Sequence, residues 1–183
     1  GSIIYDLQDL PAIAALLKNG ENTLLAADNT WGAPGLYRPI ALGADISIIA
    51  VTKYIAGHSD LVMGSVTANA RTAEQLCHDA GLLGQTVSPD DAYTALRGLR
   101  TASARIAMHS AHAMEVIRWL EEQPQVDRIL YPPLPSHPGH EIWKRDFTGA
   151  NGLLSVAFKP HIKQNDVDRM ADRLKLFGLG ASW

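Results

Sequence analysis

The stretch that decides the fold runs from residue 24 to residue 65 and reads LLAADNTWGAPGLYRPIALGADISIIAVTKYIAGHSDLVMGS. It contains two short apolar runs: Leu24–Ala27, which ends at Asp28, and Ile46–Val51, which ends at Thr52 and Lys53. Such continuous apolar runs are typical of parallel strands that helices cover on both faces. In open α/β sheets, ligands bind beyond the carboxyl ends of the strands. The sequence therefore predicts an α/β fold with Asp28 and Lys53 at one edge of its sheet.

Asp28 and Lys53 are one acid and one amine at the ends of two strands joined by a single crossover. Pyridoxal phosphate needs a lysine that forms a Schiff base and an acid that keeps its ring nitrogen protonated. Each residue also has an ordinary explanation. Asp28, followed by Asn29 and Thr30, could cap a helix, and Lys53 could be a solvated loop lysine. From spacing alone, both interpretations stay open.

Composition bounds the class of protein. The chain has 183 residues, 46% of them hydrophobic and 19% charged, which predicts one globular domain or two small ones. A net charge of −3 without any basic run argues against a nucleic-acid partner. The apolar runs are too short to span a membrane, and no secretory signal pattern precedes them. One cysteine, Cys77, excludes an internal disulfide and fits a cytoplasmic location; we expect that thiol to be buried or inert.

Caps, prolines and apolar spacing predict the remaining elements. Helices are expected over Asp9–Gly20, Pro39–Leu42, Thr72–Leu82, Ser88–Arg97, Ser103–Glu122, His140–Lys144 and Asn165–Leu176, with Asn165 as the cap of the last. Strands are expected over Leu61–Ala68, Val126–Leu130 and Leu153–Phe158. The strand Leu61–Ala68 is expected to run antiparallel to its predecessor because only a short turn separates them.

Four runs of residues resemble one known family. These are Asp28–Trp31, Thr52–Tyr54, Gly57–Asp60 and the later run Gly139–Gly149. Together they are similar to the Cys/Met-metabolism family of PLP-dependent enzymes, which have the type I fold, and the resemblance covers essentially the whole chain. It implies an incomplete aspartate-aminotransferase-like fold: a mostly parallel sheet sandwiched by helices, plus part of a small α/β C-terminal domain. The implied domains are residues 1–100, part of the large cofactor domain, and 101–183, a connecting helix with part of the small one.

The resemblance assigns roles to individual residues. It makes Lys53 the catalytic lysine that binds pyridoxal 5′-phosphate and Asp28 the partner of the ring nitrogen. Thr52 is a candidate phosphate ligand, because its hydroxyl can donate to an oxygen, although a strand-end threonine bonded to backbone is an equal alternative. Ala50 stands where many members carry a serine, so one phosphate hydroxyl is absent. Ser182 resembles a serine that helps to bind the substrate carboxylate.

The length of the chain differs from that of the family, whose members are about twice as long. The chain matches their middle, so we expect it to be an internal fragment. The resemblance implies that an aromatic ring for stacking and a glycine loop for the phosphate precede it. A substrate-carboxylate arginine would follow Trp183. An alternative is therefore that the chain by itself is an inactive structural piece with weak cofactor affinity.

The resemblance also implies a reaction. It is strongest to members that cleave L-cystathionine by β-elimination to homocysteine, pyruvate and ammonia, acting as cytoplasmic homotetramers. The runs Gly139–Gly149 and Ser182–Trp183 favour this branch. Members that carry out γ-elimination or γ-replacement share the acid and the lysine, so they remain the alternative. No membrane or nucleic-acid partner is implied.

Other chemically suggestive residues have simpler explanations. His109 with His112, and His137 with His140, lack a cysteine or third ligand at useful spacing, so no metal site is predicted. The run His58-Ser59-Asp60 does not predict a hydrolase, because triads are assembled from distant positions. Arg97 and Arg100 are expected to serve domain or subunit contacts rather than a phosphate. Trp31 is expected to pack in the core.

Overall fold

The computed structural model describes residues 3–17 and 23–180. Its helices are α1 (Leu10–Leu17), α2 (Ala73–Leu82), α3 (Pro89–Leu99), α4 (Ala102–Glu121), α5 (His140–Asp146) and α6 (Gln164–Ala171). A short 3-10 helix covers Pro39–Leu42. Its strands are β1 (Ala26–Asp28), β2 (Ile46–Ala50), β3 (Gly64–Ala68), β4 (Val126–Leu130) and β5 (Ser155–Phe158). The predicted α/β class is confirmed.

The first three strands form one sheet in the order β1–β2–β3. β1 runs parallel to β2, with Asp28 opposite Ile48. β3 runs antiparallel to β2, as the short turn predicts, with Val66 opposite Ile48. β1 begins two residues later than predicted because the amide of Leu25 donates to the Asp45 carboxylate, at 2.9 Å, instead of to a strand. β4 and β5 form a separate antiparallel pair.

Side-chain caps explain where two helices begin. The carboxylate of Asp9 accepts from the amide of Ala12 at the start of α1, and the Ser88 hydroxyl accepts from that of Asp91 in α3. The predicted cap at Asn165 is wrong. Helix α6 starts one residue earlier, after Lys163, whose amide donates to the Asp166 carboxylate.

One face of the three-stranded sheet is covered and the other is open. Ser47 and Val51 are buried, whereas Ile48 and Val66, which lie opposite each other on the other face, are 42% and 51% exposed. Within the described residues, elements therefore cover one face of this sheet and leave the other exposed.

The main core cluster lies around α4, β4 and the loop after β4. It contains Ala113, Ile117, Ile129, Tyr131, Leu134 and Ala150. Trp31 packs against this cluster, as expected, and its ring contacts those of Tyr5 and Phe147. A smaller cluster of Val51, Ala56, Leu61 and Ala95 joins the end of β2 to α3. This second cluster supports the segment that carries Lys53.

The helices also bear on the environment of Cys77 and on membrane association. Cys77 is exposed because α2 buries none of its residues, so the thiol is not buried, and the alternative that it is inert stays a prediction. Among the described helices, none combines the length and apolar character needed to cross a bilayer. The division of the chain at residue 100 stays a prediction.

Candidate active site

The carboxyl ends of β1 and β2 are joined through Ala50. Beyond Asp28, the amide of Asn29 still donates to the carbonyl of Ile48 at 2.7 Å. The Thr30 hydroxyl then accepts from the amide of Ala50, and the Ala50 carbonyl accepts from the amide of Lys53 at 3.1 Å. The amide of Ala50 is thus bonded to the segment that follows Asp28, and its carbonyl is bonded to Lys53. The structure brings both predicted positions to one edge of the sheet.

Lys53 lies in a compact turn, residues 51–56, that follows β2. The amide of Ala56 donates to the carbonyl of Val51, and that of Gly57 donates to the carbonyl of Lys53 at 2.9 Å. Lys53 is half-buried and lines an open cleft of about 550 Å³. The other residues lining the cleft are Thr52, Tyr54, Gly57, Ser59, Asp60, Leu61, Val62, Arg105 and His109. This volume is within the usual range of sites for small molecules and cofactors.

Asp28 is exposed and does not line this cleft among the described residues. Its carboxylate accepts from the amide of Thr30 at 2.9 Å, which holds the turn that leaves β1. By the register of the sheet, its side chain shares the open face with Ile48 and Val66. The backbones of Asp28 and Lys53 are brought together, whereas a common pocket for their side chains is not formed by residues 3–17 and 23–180.

The Thr52 hydroxyl is engaged with the backbone of Met63. It accepts from the Met63 amide at 2.9 Å and lies 3.2 Å from the Met63 carbonyl, to which it donates. Its single proton is therefore in use, which matches the backbone-bonded alternative from the sequence. A phosphate role for Thr52 stays a prediction. Ser182, the other predicted ligand, lies outside the described residues.

The far wall of the cleft is formed by helix α4. Arg105 and His109 are one turn apart and face the Lys53 turn. Burial, followed by the nearby charges of Arg105 and His112, lowers the pKa of His109. The Tyr54 ring contacts that of His109, with 6.0 Å between centroids, and burial raises the pKa of the Tyr54 phenol. The Tyr54 phenol is therefore neutral near pH 7.

Other chemically suggestive residues have local hydrogen-bond partners. Nδ1 of His137 accepts from the amide of Gly139, and His140 contacts the carbonyl of Pro132. Across the described ranges, no three His, Cys, Asp or Glu side chains are grouped to hold a metal ion. The side chain of His58 bonds the carbonyl of Ala56, and Asp60 pairs with Arg97 at 2.8 Å.

The described residues fit the two ends of the pyridoxal ring better than they fit its phosphate. An amine lining a cleft of cofactor size suits the aldehyde, and an exposed acid at the neighbouring strand end suits the ring nitrogen. The Thr52 hydroxyl adds no free proton for a phosphate oxygen. The chemistry of these groups therefore matches the cofactor that the sequence implies.

The sequence did not indicate that Tyr54, Arg105 and His109 would line the cleft. Tyr54 directly follows Lys53, and a helical spacing of four joins Arg105 to His109, so both signals were present in the sequence. The signals were weak because nothing local shows which face of α4 meets the turn. Only the packing of α4 against residues 51–57 reveals it.

Comparison with known proteins identifies the family of this chain. A family model described as Cys/Met metabolism PLP-dependent enzyme matches residues 1–183. A cystathionine beta-lyase from Bordetella avium is 44% identical over 186 residues, covering 100% of this chain and 46% of that protein. An L-alanine/L-glutamate racemase from Wolbachia pipientis is 40% identical, covering 100% of this chain and 45% of its own length.

A solved structure gives the same result for the fold. Cystathionine gamma synthase from Xanthomonas oryzae in complex with cystathionine superposes with a TM-score of 0.91 at 34% identity, covering 100% of this chain and 46% of that one. The chain thus spans about half the length of the relatives it matches. It belongs to the Cys/Met metabolism family of PLP-dependent enzymes, whose cofactor is pyridoxal 5′-phosphate.

Proposed function

We propose that this chain supplies the catalytic lysine and the ring-nitrogen acid of a carbon–sulfur lyase that cleaves L-cystathionine by β-elimination. The observation that carries the proposal is the joint at Ala50, which bonds the chain after Asp28 on one side and Lys53 on the other. It supports placing an acid and an amine at the two ends of one flat ring. The family membership supplies the identity of that ring.

Lys53 is proposed to carry the proton transfers. Lys53 lines the cleft, and its amine would take the proton from the substrate Cα as general base and return a proton to the departing sulfur. Pyridoxal phosphate supplies the sink for the electrons left at Cα. Asp28 is proposed to hold the ring nitrogen protonated. Thr52 and Ser182 remain proposed ligands of the phosphate and of the substrate carboxylate.

The choice of β-elimination rests on the relatives rather than on the geometry. The Bordetella protein at 44% identity carries that name, whereas the superposed Xanthomonas structure is a gamma synthase bound to cystathionine. γ-Elimination or γ-replacement is therefore the second candidate. All these reactions start with removal of the Cα proton, so Lys53 and Asp28 have the same roles in each.

The deciding experiment uses the natural-length protein that contains these 183 residues. Release of pyruvate from cystathionine supports β-elimination, release of 2-oxobutyrate supports the γ alternative, and racemisation of alanine without either product contradicts both. Lys53→Ala should lower turnover by a factor on the order of 10² to 10⁴, because it removes the general base. Lys159→Ala serves as the matched control, because Lys159 is half-buried like Lys53, directly follows β5 and does not line the cleft.

Asp28 is tested by Asp28→Asn and Asp28→Ala, with the exposed Asp127→Asn as control. We expect most activity to be lost while part of the cofactor is retained. Unchanged turnover in Asp28→Ala would remove the proposed role.

The proposal extends to assembly and location. We propose that the natural-length protein is a cytoplasmic homotetramer without membrane or nucleic-acid partners, which light scattering and cell fractionation would test. We expect the 183 residues alone to show little lyase activity and weak cofactor affinity. Visible absorbance that survives gel filtration, together with pyruvate release from the isolated chain, would contradict that expectation.

A further inference from the structure

The turn that carries Lys53 ends without continuing as a helix. The carbonyls of Tyr54 and Ile55 point beyond the hydrogen bonds inside the turn, where helix-end carbonyls ordinarily need outside donors. Arg105 of α4 supplies these donors: its Nη1 donates to the Tyr54 carbonyl at 2.9 Å and its Nη2 to the Ile55 carbonyl at 3.0 Å. Because the donor is charged, such bonds are stronger than neutral ones.

The same guanidinium also holds the junction of α3 and α4. Nη2 donates to the Gly98 carbonyl at 2.8 Å, and Nε donates to the Thr101 hydroxyl at 3.2 Å. Arg105 thus joins three segments: the Lys53 turn, the last turn of α3 and the first turn of α4. A single planar group with donors in fixed directions can do this, whereas a lysine ammonium cannot.

Two glycines allow this close approach. A Cβ at Gly57 would overlap the guanidinium of Arg105, and Gly57 also has a φ of +73°, which disfavours other residues. A Cβ at Gly98 would overlap the carbonyl oxygens of Ile55 and Ala56. The backbones of the turn and of α3 are therefore in direct contact around Arg105.

We propose that Arg105 is a positioning residue that fixes the Lys53 turn and so presents the Lys53 amine to the cleft. Four of the five guanidinium N–H groups are engaged with carbonyls and with Thr101, so most of the donors of Arg105 are used within the protein although it lines the cleft. The part concerning Lys53 rests on the proposed function, whereas the bracing of the turn stands on the contacts alone.

The test compares Arg105→Met and Arg105→Lys with Arg118→Met, an exposed arginine about 20 Å farther along α4, in the natural-length protein with added pyridoxal phosphate. The first readout is hydrogen exchange at the amides of Ala56 and Gly57. The second is the fraction of Lys53 that borohydride reduction joins to the cofactor, measured by mass spectrometry of the peptide.

We expect exchange at Ala56 and Gly57 to accelerate roughly tenfold to hundredfold in Arg105→Met, with peptides around Tyr131 unchanged. Labelling of Lys53 should fall roughly tenfold at conditions of equal folded fraction. Arg105→Lys should recover part of both effects because it keeps the charge without the fork. Arg118→Met should match the wild type. If Arg105→Met does not fold, Arg105→Lys decides.

Wild-type exchange and wild-type labelling in folded Arg105 variants would overturn the proposal, as would faster exchange spread evenly over the whole chain. A wild-type protein that is not labelled at Lys53 would instead refute the proposed function. The exchange measurement would still decide whether Arg105 braces the turn, so the two failures are distinguishable.

Discussion

The region around α4, β4 and β5 and the three-stranded sheet differ in whether they enclose a core of large, fully buried side chains. Around α4, Ile117 is 1% exposed and Tyr131 is fully buried. On the open face of the sheet, Ile48 and Val66 stay 42% and 51% exposed. The first region closes its own core, whereas the sheet that carries Asp28 and Lys53 is packed on one face only.

The site-bearing sheet has polar contacts at both ends of its strands in addition to its apolar cluster. Asp45, just before β2, accepts from the amide of Leu25, from the Asn69 side chain and from the guanidinium of Arg71. Thr30 and Ala50 join the other end of the same strands. In the α4 region, burial of large side chains is the main source of stability.

The largest loss of unfolding free energy is expected for Ile117→Ala in the closed core. Removing a buried side chain leaves a cavity, so unfolding free energy should fall by about 2–5 kcal/mol. Denaturant unfolding of the chain measures this. A loss comparable with that of Ile48→Ala, below, would contradict the contrast between the two regions.

A smaller loss is expected for Tyr131→Phe. The Tyr131 hydroxyl donates to the buried carbonyl of Asn151 at 2.6 Å, and the Phe variant leaves that carbonyl without this donor. Stability should fall by about 1–3 kcal/mol. Exchange at the amide of Leu153, which donates to the Asn151 side chain, should accelerate as an independent measure.

Asp45 should make the stability of the sheet depend on pH. The amide of Leu25, then Arg71 and Asn69, lower the pKa of the Asp45 carboxyl in the folded chain. Its contribution is therefore complete above the ordinary aspartate pKa of about 3.9 and is lost as pH falls through the lower folded value. Asp45→Asn should lower stability at pH 7 by about 1–3 kcal/mol, and the difference from the wild type should shrink below pH 4. A difference that is constant with pH would exclude this linkage.

The smallest effect is expected for Ile48→Ala on the open face. Because Ile48 is already 42% exposed, its truncation should change stability by less than about 1 kcal/mol. The same variant should reduce any concentration-dependent association of the isolated chain, since it shrinks an apolar patch. Analytical ultracentrifugation at several concentrations measures that change. A loss of stability of about 2–5 kcal/mol in Ile48→Ala, as for a buried residue, would show that this face is covered in solution.

Much of the fold could be predicted because its signals are local. The caps at Asp9 and Ser88 set the starts of two helices, and the apolar run at Ile46 gave β2 almost to the residue. The cap at Asn165 was wrong because the amide of Lys163, two residues earlier, donates to the Asp166 carboxylate and starts the helix there. The exposure of Ile48 could not be predicted, since the composition of a strand does not show which covering elements are present.

The candidate site was predictable in part. Lys53 and Asp28 could be named because each stands near the carboxyl end of a predicted strand: Asp28 is the last residue of β1, and Lys53 lies three residues after β2. The role of Arg105 could not be foreseen, because three of its partners are backbone carbonyls and carry no mark in the sequence. Contacts to main-chain atoms are visible only in coordinates.

The paired contacts of Thr52 with Met63 have one more consequence. They join the two ends of a ten-residue loop, from Lys53 to Val62, by hydrogen bonds. A phosphate that drew the Thr52 proton to itself would break only the bond from this hydroxyl to the Met63 carbonyl. The Met63 amide could still donate to the Thr52 oxygen, and the Thr52 amide could still donate to the Met63 carbonyl, so the loop would stay closed at its two ends by the remaining bonds.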